Sequence, residues 1–173
     1  YDGRTVKDGI VQPSLADTVL LDDRLMIELI GDGFHVPEEL IVLTRRAAGA
    51  GRIIAITDAM QGAGLPDGVY AMTDGRKYTL CNRGVCRLQD HPETIVGSCL
   101  TMNRVFMNLI ERFGFSPPEA VAVTSGNAAR QLRLNDRLGA LREGLQADIA
   151  VLSAENGAVM MCVRDGIDLY RMA

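Results

Sequence analysis

Apolar and polar positions follow two rhythms along the chain, and the switches between them predict its elements. The run RLMIELIGD at 24–32 is mostly apolar and strand-length, the pattern of a parallel strand covered on both faces. Pro37 then opens PEELIVLTRRAAGAG, with proline in a first turn, Glu38 and Glu39 near the positive end of the dipole, and Gly51 placed to close the C-terminus. That spacing predicts a helix over 37–50. RIIAIT at 52–57 is a second apolar, β-branched strand, which delivers Asp58 at its C-terminal edge ahead of the loop AMQGAGLPDG. Strand, helix, strand in this order is a βαβ unit.

The rhythm then changes. GVYAMTDGRKYTLCNRGVCRL carries turn signals at Thr73-Asp74-Gly75 and Asn82-Arg83-Gly84 between short segments rich in Val, Tyr, Thr and Leu, which predicts a β-meander near 67–89. After Gly97-Ser98, the residues Leu100, Val105, Phe106, Leu109 and Ile110 recur on one helical face, predicting a helix over 99–113. Ser116-Pro117-Pro118-Glu119 reads as a capping box opening a further helix, with another short helix over 127–132. ADIAVLS, VMMCVRDG and IDLYRM predict three closing strands, and Met102, Met107, Met160 and Met161 read as core filler. There is no internal repeat and no low-complexity linker.

Composition narrows the class. With 47% hydrophobic and 23% charged residues in 173, the chain reads as soluble and globular, which excludes disorder and collagen-like repeats. Eighteen Lys+Arg against 22 Asp+Glu leave no positive excess for a phosphate backbone, so no nucleic-acid partner is expected. The longest apolar stretches fall far short of the roughly 20 residues of a membrane span, so no membrane partner is expected either. Tyr1 opens the chain without a charged n-region or apolar h-region, and a complete eight-stranded barrel takes about 250 residues. The expectation is a piece of a longer protein holding roughly the last three barrel units. Four cysteines without CxxC spacing read as reduced, buried thiols in the cytoplasm, and two histidines without HxH or HExxH spacing leave any hydrolytic metal to find ligands elsewhere.

Acidic residues just past parallel strands sit where reacting groups collect in α/β folds. Asp58, at a rigid strand end beside a Gly-rich loop, is either a general acid/base held against a substrate or a loop cap bonding its own backbone. His35, at the end of the preceding strand, is either a satisfied surface histidine or a second group in the same crevice. Asp32, between two glycines, reads as a turn residue. The GAGLPDG loop at 62–68 offers backbone N–H groups to an anion but opens no helix, and His91 reads as exposed loop.

The blocks GDGFHVPEELI, IAITDAMQGAGLPDGVY, GSCLTMNRVFMNLI, TSGNAARQLRL and LGALREGLQADIAVLS, in this order, resemble the C-terminal part of the N-acetylglucosamine-6-phosphate deacetylase family of the amidohydrolase superfamily. The resemblance implies an α/β fold, the C-terminal part of a (β/α)8 TIM barrel over residues 1–147 with the meander as an insertion. Residues 148–173 then supply the C-terminal strands of a small β-sandwich domain. It implies metal-dependent hydrolysis of the acetamide of N-acetylglucosamine 6-phosphate to glucosamine 6-phosphate and acetate. In that scheme Asp58 matches the catalytic Asp that moves a proton from water to the leaving amine, His35 the histidine that contacts the sugar phosphate, and Leu100 a pocket-lining position. Asp2 and Gly3 fall where a Tyr-Asn-Ala type segment contacts the phosphate.

The same resemblance implies a divalent metal, Zn or Fe, whose ligands, a Glu and two His, precede this chain, so the piece alone is expected to be inactive. It also implies an amino-sugar phosphate substrate and a homodimer, in keeping with the open strand edges a half-barrel would present. Two positions depart from the pattern. Val11-Gln12-Pro13-Ser14 stands where an Arg-Glu-Pro-Gly segment reaches the neighbouring subunit's phosphate, and Asp2 replaces Asn. Arg4 or Lys7 would have to supply the missing cation. Two other readings follow: a related amidohydrolase acting on a different N-acyl or cyclic amide compound, and a noncatalytic fragment or assembly domain.

Overall fold

The computed structural model describes residues 5–81 and 84–172. A short hairpin, β1 (Val6–Lys7) and β2 (Ile10–Val11), precedes α1 (Leu15–Leu21), which starts on a capping box between Ser14 and Asp17. Then come β3 (Ile27–Ile30), α2 (Glu38–Ala48), a 3-10 turn at Ala50–Arg52 and β4 (Ile53–Ile56). β3 and β4 pair in parallel, Ile27 opposite Ile53 through Ile30 opposite Ile56, so the predicted βαβ unit is present. Its elements are shorter than the apolar runs. The helix stops at Gly49 rather than near Gly51, because Gly49 takes a φ of 72°, a left-handed value that glycine adopts at no steric cost, and its N–H bonds the Arg45 carbonyl.

The middle of the chain forms an antiparallel sheet of four strands, β5 (Gly68–Ala71), β6 (Lys77–Leu80), β7 (Val85–Leu88) and β8 (Ile95–Ser98), in sequence order. The predicted meander thus gains a strand at its end. Residues 99–101, expected to be helical, run on from β8 in extended form, and α3 begins at Met102 and ends at Glu111. The turn expected at Asn82-Arg83 lies outside the described residues.

The box of Ser116 with Glu119 caps α4 (Pro117–Val121) as the sequence predicts, but that helix continues through a π-helical turn at Ala122–Gly126 into α5 (Asn127–Gln131). Three strands close the chain, β9 (Ile149–Leu152), β10 (Val159–Arg164) and β11 (Ile167–Arg171), in an antiparallel sheet with β10 in the centre.

Two cores hold these layers. Leu29, Ile53 and Ala55, from the inner faces of β3 and β4, pack on Ile41 of α2, on Val105 and Leu109 one turn apart on α3, and on Phe113, Phe115, Ala120 and Val123. The second core, Tyr78, Leu80, Cys86 and Cys99 with Met60 and Ala63, lies between the meander and the loop after β4. Of the four methionines read as core filler, Met107 is buried and Met161 half-buried, whereas Met102 and Met160 are exposed. Polar anchors fasten the layers. The buried Asn127 amide donates to the carbonyls of Ala50 at 2.8 Å and Ile53 at 2.6 Å, and the Arg52 guanidinium gathers the carbonyls of Leu20, Asp22 and Leu25 at 2.7–3.1 Å together with the Asp23 carboxylate.

Candidate active site

β3 and β4 end side by side, and the segments that leave them carry His35 and Asp58. Just past β3, Asp32 makes a turn: its Oδ1 accepts the backbone N–H groups of Phe34 at 2.8 Å and His35 at 3.0 Å. A turn closed over three residues returns the chain onto the carboxylate that closes it. The ring of His35 lies there, Nδ1 at 2.6 Å from Asp32 Oδ2. The other nitrogen, Nε2, stands 3.9 Å from Asp58 Oδ2. Exposure rises along the row: the Asp32 side chain is wholly buried, that of His35 20% exposed and that of Asp58 51% exposed. A buried carboxylate, a fixed imidazole and an open carboxylate can orient, bind and exchange a proton with a solute in the crevice.

Asp58 has a φ of 50°, the left-handed region that few non-glycine residues occupy. Beside it, Thr57 Oγ1 takes the Ala59 N–H at 3.3 Å. Ser98, at the end of β8, holds this conformation from the side. Its N–H donates to Asp58 O at 2.9 Å, its carbonyl accepts the Met60 N–H at 2.7 Å, and its buried hydroxyl donates to Thr57 O while accepting the Leu100 N–H at 3.2 Å. Gly97, before it, leaves no room for a Cβ, which would meet Met60 Cγ at 2.9 Å and Asp58 O at 3.3 Å.

Leu100, two residues past Ser98, is half-buried against the main core. Asp2, Gly3 and Arg4 lie outside the described residues, and Lys7 is exposed on β1. His91 is exposed next to Glu93, as its loop setting predicts. Asp32 makes the predicted turn but also grips His35, and Ser98 was not singled out by sequence. The three-residue spacing from Asp32 to His35 is a readable signal for the first; the second depends on a contact between distant segments. A separate cleft of about 700 Å³ between α3 and the C-terminal sheet, lined by Met102, Phe106, Val121, Ile149 and Leu152 among others, contains neither Asp58 nor His35. It has no convergent ionisable pair comparable to that at the strand ends.

Among the described residues no three or more His, Cys, Asp or Glu side chains come together as a metal site. One imidazole and one open carboxylate fall short of the three protein ligands a catalytic zinc takes, so these residues alone do not fit a divalent cation. Among them, too, no helix is long and apolar enough to cross a membrane.

Comparison with known proteins shows the family. The chain belongs to the amidohydrolase family, whose model covers residues 15–167. Within it, the chain is 34% identical over 156 residues to N-acetylglucosamine-6-phosphate deacetylase of Bacillus subtilis, with 90% of this chain aligned to 38% of that protein. It is 35% identical to a putative N-acetylgalactosamine-6-phosphate deacetylase of Escherichia coli K12, covering 83% of each. The crystal structure of N-acetylglucosamine-6-phosphate deacetylase from Thermotoga maritima superposes with a TM-score of 0.80 at 32% identity, over 91% of this chain and 42% of that one. The chain therefore spans about two-fifths of the length of these longer relatives.

Proposed function

We propose that the protein carrying this chain hydrolyses the acetamide of N-acetylglucosamine 6-phosphate, and that Asp58 and His35 act on the substrate. In this reading residues 1–147 form the C-terminal part of a (β/α)8 barrel, interrupted by the meander, and 148–173 add strands to a small β-sandwich. The protein works in the cytoplasm as a homodimer. Supporting it most directly is the placing of an open carboxylate and a braced imidazole 3.9 Å apart at neighbouring parallel strand ends, in a chain similar to enzymes of that name.

Amide cleavage needs an activated water, a polarised carbonyl and a protonated leaving nitrogen. Asp58 takes the proton from the attacking water and returns it to the amine nitrogen as the C–N bond breaks, leaving acetate and a free amine. His35 Nε2 binds the sugar phosphate beside it, and Leu100, Asp2 and Gly3 complete the substrate contacts. A divalent cation, Zn or Fe, would be held by side chains other than those described here and would supply Lewis acidity at the carbonyl.

Asp58→Asn in the full gene product tests this: acetate release should fall by about 10²–10⁴-fold, the range of a lost general acid/base, and near-wild-type turnover would remove Asp58 from the reaction. A second reading, the galactosamine epimer as substrate, is favoured by the 35% identity to the E. coli protein. Comparing kcat/KM for the two phosphorylated sugars, and for N-acetylglucosamine without phosphate, separates them; the last arm also tests Val11 in place of the expected arginine.

A further inference from the structure

Proton transfer by Asp58 and binding by His35 leave the buried Asp32 carboxylate unused. A turn of this kind needs one acceptor oxygen, which Asn or Ser also provides, and an ionised group is costly to bury unless paired and hydrogen-bonded. Asp32 divides its two oxygens. Oδ1 closes the turn on the N–H groups of Phe34 and His35, while Oδ2 lies 2.6 Å from His35 Nδ1. The turn is braced from behind by Arg112, whose Nη1 donates to the Asp32 carbonyl at 3.3 Å and whose Nη2 lies 3.6 Å from Glu38 Oε2. An ionised carboxylate has no proton to give, so at this contact Nδ1 must carry one. Nε2 is then the ring nitrogen left for the crevice, and there it faces Asp58.

We propose that Asp32 is a positioning residue that fixes His35 as the Nδ1–H form and aims Nε2 at the substrate group shared with Asp58. The 3.9 Å gap between Nε2 and Asp58 Oδ2 exceeds a direct hydrogen bond. One substrate oxygen or nitrogen about 2.8 Å from each, roughly a hydrogen-bond length, bridges the two side chains with the three atoms at about a right angle. A ring free to turn over would lose that bridge. The identity of the bridging atom rests on the deacetylase reading; the proton position in His35 does not.

The informative variant is Asp32→Asn. Its single carbonyl oxygen stays with the two backbone N–H groups and keeps the turn, which presents the amide NH2 to Nδ1 and drives the proton to Nε2. Long-range 15N–1H spectra of labelled protein resolve the histidine rings, and the set of cross-peaks lost in His35→Gln assigns His35. The wild-type neutral His35 is expected to show a protonated Nδ1 and a bare Nε2, and Asp32→Asn the reverse. In the acetate-release assay the same variant should lose about 10–100-fold in kcat/KM, roughly the worth of one hydrogen bond from the ring to the substrate, with KM sharing in the loss.

A wild-type spectrum with Nε2 protonated overturns the proposal even if the variant does not fold. So does an Asp32→Asn protein that keeps the wild-type tautomer or the wild-type kcat/KM. If the tautomer exchanges as expected but wild type releases no acetate from any of the sugars, the positioning role stands and the deacetylase reading falls.

Discussion

Ser98 and Asp58 are joined backbone to backbone, with the Ser98 N–H on the Asp58 carbonyl at 2.9 Å and a parallel bridge between Ser98 and Ala59. The last strand of the meander is thereby stitched to the end of the strand that carries the open carboxylate. The Ser98 hydroxyl, fully buried, adds bonds on both sides of this seam, to the carbonyl of Thr57 and from the N–H of Leu100. Ser98→Ala leaves both backbone groups without that partner. It should cost about 1–3 kcal/mol in denaturant unfolding and lower kcat about tenfold by loosening Asp58, while Ser98→Thr should lose less. Unchanged stability and turnover in the alanine variant would show the hydroxyl to be dispensable.

The left-handed φ of Asp58 gives stability and activity opposite signs at one position. Asp58→Gly relieves a conformation that costs a non-glycine residue about 1 kcal/mol, partly offset by the greater freedom of glycine in the unfolded chain. The variant should be as stable as wild type or up to about 0.5 kcal/mol more so, with its acetate release abolished. Loss of stability on thermal or urea unfolding would mean that the carboxylate, not the backbone, sets the energy of this turn.

Which parts of this arrangement could be read beforehand depends on how local their causes are. The βαβ unit, the Ser116–Glu119 box and the three closing strands follow from spacing within a few residues, and all are present. The convergence of His35 and Asp58 was legible for the same reason, since each lies just beyond an apolar strand run. β8 was not: Ile95–Ser98 owes its extended form to pairing with β7 and to the seam at Asp58, contacts made by residues far away in sequence. Asp32 lay between, its turn legible and its grip on the imidazole visible only once the turn was closed.

Glu119 supplies a pH signature. The Arg45 guanidinium, 2.9 and 3.0 Å from its oxygens, and the Ser116 N–H and hydroxyl hold its carboxyl down at about 2, against an ordinary 4.5. Lowering a carboxyl in the folded state stabilises the fold where the unfolded group is ionised, so this contribution is complete above about pH 5 and disappears as pH falls toward 2. Melting curves of wild type and Glu119→Gln should therefore differ by a constant amount from pH 5 to 7 and converge on acidification. A gap that stays constant to pH 2.5 would contradict the pairing.

Arg52, through its bonds to the carbonyls that end α1, should be the least replaceable cation in the first part of the chain. Arg52→Met keeps the stem and deletes several charge-assisted bonds, and should cost about 2 kcal/mol or more, with faster amide exchange concentrated in 15–25. Uniform exchange across the protein would argue against a local clamp.

The four thiols should separate by reactivity. Burial, with Cys99 and Cys81 close by, pushes the Cys86 thiol up to about 11, and its side chain is sealed in the second core; Cys81 and Cys162 are half-exposed. An aromatic disulfide reagent at pH 8 should modify Cys81 and Cys162 in the native protein and Cys86 only at the rate of unfolding. Peptide mass mapping after brief labelling reads this directly, and early modification at Cys86 would refute it.

Because the meander leaves the parallel strand pair at Ala59 and is sewn back to the same spot at Ser98, its far hairpins are mechanically insulated from the carboxylate. Their tips, at Asp74–Gly75 and around 89–93, are free to drift in length and sequence while Asp58 stays where it is. A lineage could refashion that outer sheet, and whatever it brushes against, without relearning how to aim the acid.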